Sequence, residues 1–348
     1  MKNNYDIVIV GAGILGLSVA REILSTRPKL KIRVLEKEIG LGYHGSGRNS
    51  GILHSGIYYP EQSLKAKFCA DGAKMLADLC YEFKLPIERT GKVILSTRIK
   101  DDPTLEILME LGRPNGVNAK LLDSHELSKV ELLARSITNR AVYVPSCAVV
   151  DPKRILEILA KLLTDQGACL IYNAEFLSAD MTNGSIKLKD GRVFSFGHFP
   201  NAAGLYADQI AYAFDIANNY VIMPFKRLYY DVVSVLKDGI RGLIYPAPDL
   251  RLPFLGVHFT ISVEGKVCLG PNALPAIGRE KRRGSESIKF FESIALLKRN
   301  LKQYLKNEQG FRELVHEELK RLRKPSFVNA TQALVPNISE KDILRGKK

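Results

Sequence analysis

The chain has 348 residues, 46% hydrophobic and 25% charged, enough for a substantial core and for two lobes, since single cores stop growing near about 250–300 residues. Its five cysteines, Cys69, Cys80, Cys147, Cys169 and Cys268, are scattered without a Cys-x-x-Cys pair, which excludes a disulfide framework and a zinc-site spacing and favours a reducing cytoplasm. The 51 basic residues against 37 acidic ones, net +14, suit anionic small molecules or lipid headgroups; without zinc-finger spacing, an RNP-like strand or aromatics interleaved with basic residues, nucleic acid is not an expected partner.

Met1 leads directly into a strand pattern, without the basic, apolar and cleavage regions of an export signal. No apolar run approaches the about 20 residues needed to span a bilayer. The expected location is the cytoplasm, with any membrane contact peripheral, on the inner face.

In chain order, residues 5–10 (Tyr-Asp-Ile-Val-Ile-Val) predict a buried strand, Ile14 to Leu24 a helix, and Lys31 to Leu35 a second strand, a strand-helix-strand unit. A Gly/Ser-rich loop fills 40–56. Helical spacing covers 63–84, a strand Lys92 to Thr97, and short helices 102–112 and 124–131. Val142 and Val144 precede a helix at 152–166, with Asp151 as N-cap and Pro152 as its first residue. Three strands follow near 169–180, 185–189 and 192–200, the last two joined at Asp190-Gly191, a hairpin signal. Residues 221–236 and 254–270, with glycine turns at Gly239, Gly242 and Gly265, read as an antiparallel sheet. Ser285 to Arg323 reads as lysine-rich helix, and Glu340 to Lys348 as helical, with no closing strand.

Gly11-Ala12-Gly13-Ile14-Leu15-Gly16 fits G-x-G-x-x-G between the first strand and the first helix. Gly11 allows the tight turn, Gly13 the approach of a pyrophosphate to the backbone, and Gly16 close helix-to-strand packing. Glu36, closing the second strand, is placed for the ribose hydroxyls and disfavours a 2′-phosphate. The pattern therefore predicts FAD or NAD. Ser46-Gly47-Arg48-Asn49-Ser50-Gly51 supplies small residues and consecutive N–H donors for a pyrophosphate. A second glycine element, Asn201-Ala202-Ala203-Gly204, follows a later strand. Two separated glycine elements for one dinucleotide favour FAD.

The segments GRNSGILHSGIYYPEQSLKAKFCADGAKML at 47–76, GKVILST at 91–97, NAAGLYADQIA at 201–211, LIYPAPDLRLPFLGVHFT from 243 and GPNALPAIGRE ending at 280 resemble the D-amino-acid-oxidase-like (DAO) superfamily of FAD-dependent flavoproteins. Within it they are similar to the L-2-hydroxyglutarate dehydrogenase/oxidase family. The resemblance implies an α/β fold: a Rossmann-like FAD-binding lobe at 1–90 and 145–215, and an α+β, antiparallel-sheet substrate lobe at 91–144 and 216–284. Residues 285–348 form a C-terminal helical segment. It implies FAD at Gly11, Gly13, Ile14, Gly16, Glu36, Lys37, Ser46, Gly47, Arg48, Asn49, Ser50, Gly51, Ala203 and Gly204, and no metal.

The implied reaction is oxidation of L-2-hydroxyglutarate to 2-oxoglutarate by hydride transfer to flavin, with electrons passed to a quinone or to oxygen. Removing the hydroxyl proton calls for a base, for which His54 in GILHSG and His258 in LGVHFT stand in family-like blocks. A 2-hydroxy dicarboxylate calls for cationic and hydroxyl donors, with Arg227 or Lys226, Arg251, Tyr58, Tyr59 and Tyr245 as candidates. A superfamily member acting on an amino acid or on glycerol 3-phosphate is the alternative enzyme.

Two departures from the family pattern stand out. After Pro224-Phe225 the family carries an Arg-Gly-acidic-Tyr run, whereas this chain reads Lys226-Arg227-Leu228-Tyr229. Similar proteins also continue well past the segment matching Glu340 to Gly346, including a Gly-Val-Arg-Ala-Gln-like strand. The corresponding expectation is a C-terminally truncated chain, either an inactive remnant or one partner of a complementary C-terminal fragment.

Overall fold

A computed structural model of the chain describes residues 4–250, 256–270, 272–276, 278–280, 290–307 and 310–346. Contacts divide it into two compact units, Met1–Asn49 with Pro152–Pro224 and Ser50–Asp151 with Phe225–Lys348. The sequence reading instead drew its lobe boundaries after 90, 144 and 215, and set 285–348 apart.

The first unit is built on a six-stranded sheet, in the order 176–180, 185–188, 193–198, 4–10, 32–35, 169–171. The strand Asn4–Val10 lies at its middle, parallel to Val193–His198 on one side and to Ile32–Leu35 on the other, and Cys169–Ile171 extends the parallel set. Ile7, Val8, Ile9 and Val10 are all buried, which is why this strand reads as an unbroken apolar run: a parallel sheet is covered on both faces. Val8 and Val10 pack into a cluster with Phe194, Ile186, Leu188 and Ile210, joined by the rings of Phe176, Phe196, Phe199 and Phe214. The helices Ile14–Thr26 and Pro152–Asp165 pack against each other and bury Leu17, Ala20 and Leu24 of one and Ile155, Leu159 and Leu163 of the other. The expected strand at 169–180 is two strands, Cys169–Ile171 and Phe176–Asp180, at opposite edges of the sheet.

The second unit contains an eight-stranded sheet in the order 343–345, 230–232, 267–270, 258–261, 243–246, 92–95, 140–144, 120–123. All neighbours are antiparallel except Leu243–Pro246 beside Lys92–Leu95. Side chains alternate between its faces. The register pairs Lys92 with Leu243 and Val144, and Ile94 with Tyr245 and Val142, so these share one face, where Ile94, Val142, Val144, Leu243 and Tyr245 bury against Ile57, Leu105 and Leu108. The opposite face carries Val93, Leu95, Ile244, Phe259 and Leu269, covered by Phe327, Val328, Leu334 and Val335. A small sheet orders Ile52–Leu53, Ala148–Val150 and Ile87–Glu88, so the stretch 40–56, expected as loop, contains a strand.

Three helices, Phe290–Lys306, Phe311–Lys320 and Lys324–Gln332, follow. The end corrects the sequence expectation. Ser339 and Asp342 close a capping box, and Ile343–Arg345 is a strand that pairs with Tyr230–Val232. Its apolar anchor is a single side chain, Ile343, fully buried ahead of exposed Leu344 and Arg345, too short a pattern to read as a strand from sequence.

Candidate functional site

Chemistry-bearing residues gather at two places, one in each unit. In the first unit, Gly11 has φ +99° and donates its N–H to Leu35 O at 2.8 Å. A Cβ there would stand 2.3 Å from Ala202 O, and one on Gly16 would stand 1.9 Å from Gly11 O. Both positions therefore require glycine: the first for φ and contact, the second for packing. The second glycine element is pinned beside this turn, since Ala202 N donates to Val10 O at 2.8 Å and Val10 bridges Asn201. Ala203 and Gly204 follow directly, with Ala203 N donating to Asn201 Oδ1 at 3.2 Å.

Gly13 caps the helix Ile14–Thr26, which has neither a side-chain bond at its cap nor an acidic residue in its first turn. The positive end of the helix dipole lies at this turn. Ser46 Oγ accepts from Ile14 N at 3.0 Å, and a Cβ on Gly13 would lie 2.9 Å from that oxygen. The Ser46 loop closes on itself: Asn49 Nδ2 donates to Gly45 O and Ser46 O, and Gly47 N to His44 O. Arg48 is exposed. Glu36 is held by Ala12 N on one oxygen, at 3.1 Å, and by Glu38 N on the other, at 3.0 Å. Lys37 bonds Glu38 and lies over the Tyr206 ring at 5.0 Å. Thus Gly11, Gly13, Ile14, Gly16, Glu36, Lys37, Ser46, Gly47, Arg48, Asn49, Ala203 and Gly204 all belong to the first unit, whereas Ser50 and Gly51 belong to the second, where Gly51 O accepts from Val150 N.

In the second unit, His54, Tyr58, Lys92, Tyr245 and His258 form one cluster. Tyr245 and His258 stack with ring centroids 3.9 Å apart, and His54 meets Tyr245 edge-on at 6.4 Å. Lys92 Nζ lies 4.4 Å from the centroid of Tyr58 and 5.5 Å from that of Tyr245. His258 Nδ1 lies 2.7 Å from Gly256 O; a carbonyl only accepts, so Nδ1 carries the proton and Nε2 is left as an acceptor. Burial, followed by the Lys92 charge, pushes His54 down to about 3. Burial also takes His258 down to about 4, with Lys92 and Arg227 adding to it against the Gly256 bond. Both imidazoles are neutral at neutral pH.

The loop bearing His54 is held from outside: Asn115 Nδ2 donates to Gly56 O and Tyr59 O, and Cys69 Sγ to His54 O. Tyr59 is partly buried, with Lys65 Nζ 5.9 Å from its ring centroid. Arg227 is exposed and bonds the Tyr229 hydroxyl; Lys226 is exposed in a two-residue strand paired with Leu274–Pro275. Arg251 lies outside the described residues.

Residues 6–324 match the family described as DAO, FAD dependent oxidoreductase. The chain belongs to this family of FAD-dependent oxidoreductases. Among curated relatives, it is 34% identical over 359 residues to the mitochondrial L-2-hydroxyglutarate dehydrogenase of Bos taurus, covering 99% of this chain and 76% of that protein. It is 34% identical to the L-2-hydroxyglutarate dehydrogenase of Indibacter alkaliphilus, over 99% of this chain and 86% of that one, and 30% identical to that of Escherichia coli K12, over 97% and 80%. The fold resembles that of the L-alpha-glycerophosphate oxidase of Mycoplasma pneumoniae, at TM-score 0.75 and 21% identity, covering 98% of this chain and 81% of that one. The glycine oxidase of Geobacillus kaustophilus gives TM-score 0.67 at 16% identity, covering 86% and 77%.

FAD is the cofactor of this FAD-dependent oxidoreductase, and the first unit's groups fit it. The glycine turn at Gly11 to Gly16, the helix N-terminus that it opens with no acidic residue in its first turn, and a fixed carboxylate at the end of the neighbouring strand match a dinucleotide's pyrophosphate and ribose.

Lys92 was not anticipated from the sequence as part of the candidate site. Its signal was present: a lone lysine opening Lys-Val-Ile-Leu, a strand buried at all four positions. Almost no lysine is fully buried without a reason.

Proposed function

We propose that the chain oxidises L-2-hydroxyglutarate to 2-oxoglutarate. The observation that carries the substrate is the 34% identity to L-2-hydroxyglutarate dehydrogenases across 99% of the chain. The cluster of two neutral histidines beside a buried lysine supports the chemistry.

When bound, FAD supplies the acceptor for the hydride leaving C2 of the substrate. Gly11, Gly13 and Ile14, with Ser46 to Gly51, Ala203 and Gly204, would hold its pyrophosphate, Gly16 would keep the helix close to the turn, and Glu36 with Lys37 would hold the adenosine side. As the C2–H bond breaks, the hydroxyl O–H bond breaks too and the C2–O bond becomes a carbonyl. The proton passes to a neutral imidazole, His54 or His258, each of which stays unprotonated at neutral pH because it is buried beside cationic groups. Arg227 meets a carboxylate of the substrate, and Tyr58, Tyr59 and Tyr245 supply hydroxyls.

The electrons leave to a quinone or to oxygen. No described helix is long and apolar enough to cross a membrane. Peripheral contact is supported by the helix Phe290–Lys306, where exposed Leu297, Leu301 and Leu305 run beside exposed Lys298 and Lys302. Pelleting with anionic liposomes at low ionic strength, reversed by salt, is expected; no pelleting removes the membrane role.

The deciding experiment is the visible spectrum of the flavin-loaded protein mixed anaerobically with L-2-hydroxyglutarate, its D enantiomer, glycerol 3-phosphate or an amino acid. Bleaching by the L enantiomer alone is expected. Bleaching by another compound and not by this acid replaces the substrate.

A further inference from the structure

Among the described residues of the second unit, Lys92 is an unusual charge. It is 1% exposed, and its Nζ has no hydrogen-bond partner among the described residues. An ammonium carries three N–H donors. The rings of Tyr58 and Tyr245 give it two π-faces and no oxygen. Two further buried polar atoms without partners, Tyr58 Oη and Ser55 Oγ, come from the loop that carries His54.

Leaving a lysine buried without an oxygen partner is costly, and burial pushes the Lys92 ammonium down from its usual range. A purely structural role would be served better by methionine or leucine, since the neighbouring strand positions Val93, Ile94 and Leu95 are all apolar and buried. The titratable groups around Lys92, namely Tyr58, Tyr59, Tyr245, Cys69, Cys147 and the two histidines, include no carboxylate. The cluster is therefore a donor set lacking its anion.

We propose that Lys92 Nζ, with the hydroxyl of Tyr58, is the receiving site for one carboxylate of the substrate. This rests on the 2-hydroxy acid reading above and adds a binding residue to it. The ion pair forms only when the acid is bound, so the lysine is left unpaired in the free protein. A carboxylate offers two oxygens to the ammonium and a hydroxyl at once, which forms charge-assisted hydrogen bonds. The anion held beside His54 and Tyr245 would place the adjoining carbon chain at the imidazoles.

The test uses the flavin-loaded full chain and 2-oxoglutarate as probe, with affinity read by titration calorimetry. Lys92→Met is expected to weaken binding about 10- to 100-fold and to raise KM for L-2-hydroxyglutarate in parallel, with kcat within about threefold. The urea midpoint of the free protein is expected to stay level or rise, because an unpaired buried charge has been removed. Tyr58→Phe, which keeps the ring and removes one hydroxyl, is expected to weaken binding about 3- to 10-fold and serves if the methionine variant does not accumulate. A Lys92→Met protein that binds 2-oxoglutarate within twofold of the parent, or that loses kcat with unchanged affinity, overturns the proposal and leaves the substrate reading standing. If the parent oxidises a different carboxylic acid and Lys92→Met loses affinity for that acid, the substrate reading fails and the carboxylate site stands.

Discussion

Tyr245 and His258 lie face to face, ring centroids 3.9 Å apart and planes inclined by 17°, on neighbouring strands of the second unit's sheet. The stack, with the Nδ1 bond to Gly256 O, fixes the imidazole in rotation and in tautomer. Tyr245→Phe keeps the ring and is expected to leave kcat within about threefold. Tyr245→Ala removes a fully buried side chain, which costs about 3–5 kcal/mol and frees the imidazole to rotate. Urea unfolding and steady-state kinetics of the two variants check this, and a Tyr245→Ala protein with parental kcat would show that the stack plays no part in turnover.

The histidines set the acid side of the activity profile. A base is active while unprotonated, and His54 and His258 are pushed down to about 3 and about 4, so kcat/KM is expected to hold from pH 8 to 5 and to fall only near pH 4. An unshifted histidine would give the fall near 6.5. The same depression links to stability. Below 6.5 the unfolded chain binds protons that the folded His258 refuses, so stability is lost as pH falls from about 6.5 through 4, by on the order of 3 kcal/mol for His258. His258→Asn should flatten that part of the urea-midpoint profile. An acid limb at pH 6 to 7 in the parent enzyme would contradict the neutral, buried pair.

Glu131 acts with the opposite sign. Its carboxylate, 2% exposed, accepts from Arg241 N and Gly242 N at 2.9 to 3.2 Å, holding the turn that opens the strand of Tyr245. Burial raises its carboxyl to about 7 against the pull of these donors. The folded state therefore binds a proton more tightly than the unfolded one, and the contribution, full below about 4.5, is lost as pH rises through 7. Glu131→Gln should remove this decline between pH 5 and 8. Glu131→Ala leaves the buried Gly242 N–H without an acceptor, at about 1–3 kcal/mol. If the parent and Glu131→Gln profiles coincide, the carboxyl titrates normally.

These contrasts show what the sequence could carry. The nucleotide unit was legible because its chemistry is local: Gly11, Gly13, Gly16 and Glu36 sit within one strand-helix-strand unit, and the run at Ile7 to Val10 reports burial on both faces directly. Pairing between distant segments was not legible. Leu243–Pro246, the strand that carries Tyr245, is four residues long and finds its partner, Lys92–Leu95, across a long sequence gap. Lys92 reads as an ordinary strand-end lysine until that register places it on the same face as Tyr245. The terminal strand Ile343–Arg345 is set by one buried side chain and by pairing with Tyr230–Val232, neither of which leaves a periodic trace. Histidines 54 and 258 were named from their sequence surroundings; their closeness to one aromatic ring is tertiary information.

Asn115 bears on how rigidly the candidate site is held. Its Nδ2 donates to Gly56 O at 3.2 Å, Tyr59 O at 2.8 Å and Leu111 O at 3.1 Å, tying the end of the helix Pro103–Gly112 to the loop that carries His54 and Tyr58. An amide has two N–H bonds, so one is shared, and the site tolerates donors only. Asn115→Asp turns an acceptor toward three carbonyl oxygens and should be more damaging than Asn115→Ala, which merely removes the tie at about 1–3 kcal/mol. Because the loop positions both a candidate base and a donor hydroxyl, kcat/KM is expected to drop about 10-fold or more in the alanine variant, since small displacements of reacting groups are costly. Parental kcat/KM in both variants would mean that the packing of Ile57 against Gly112 holds the loop without the amide.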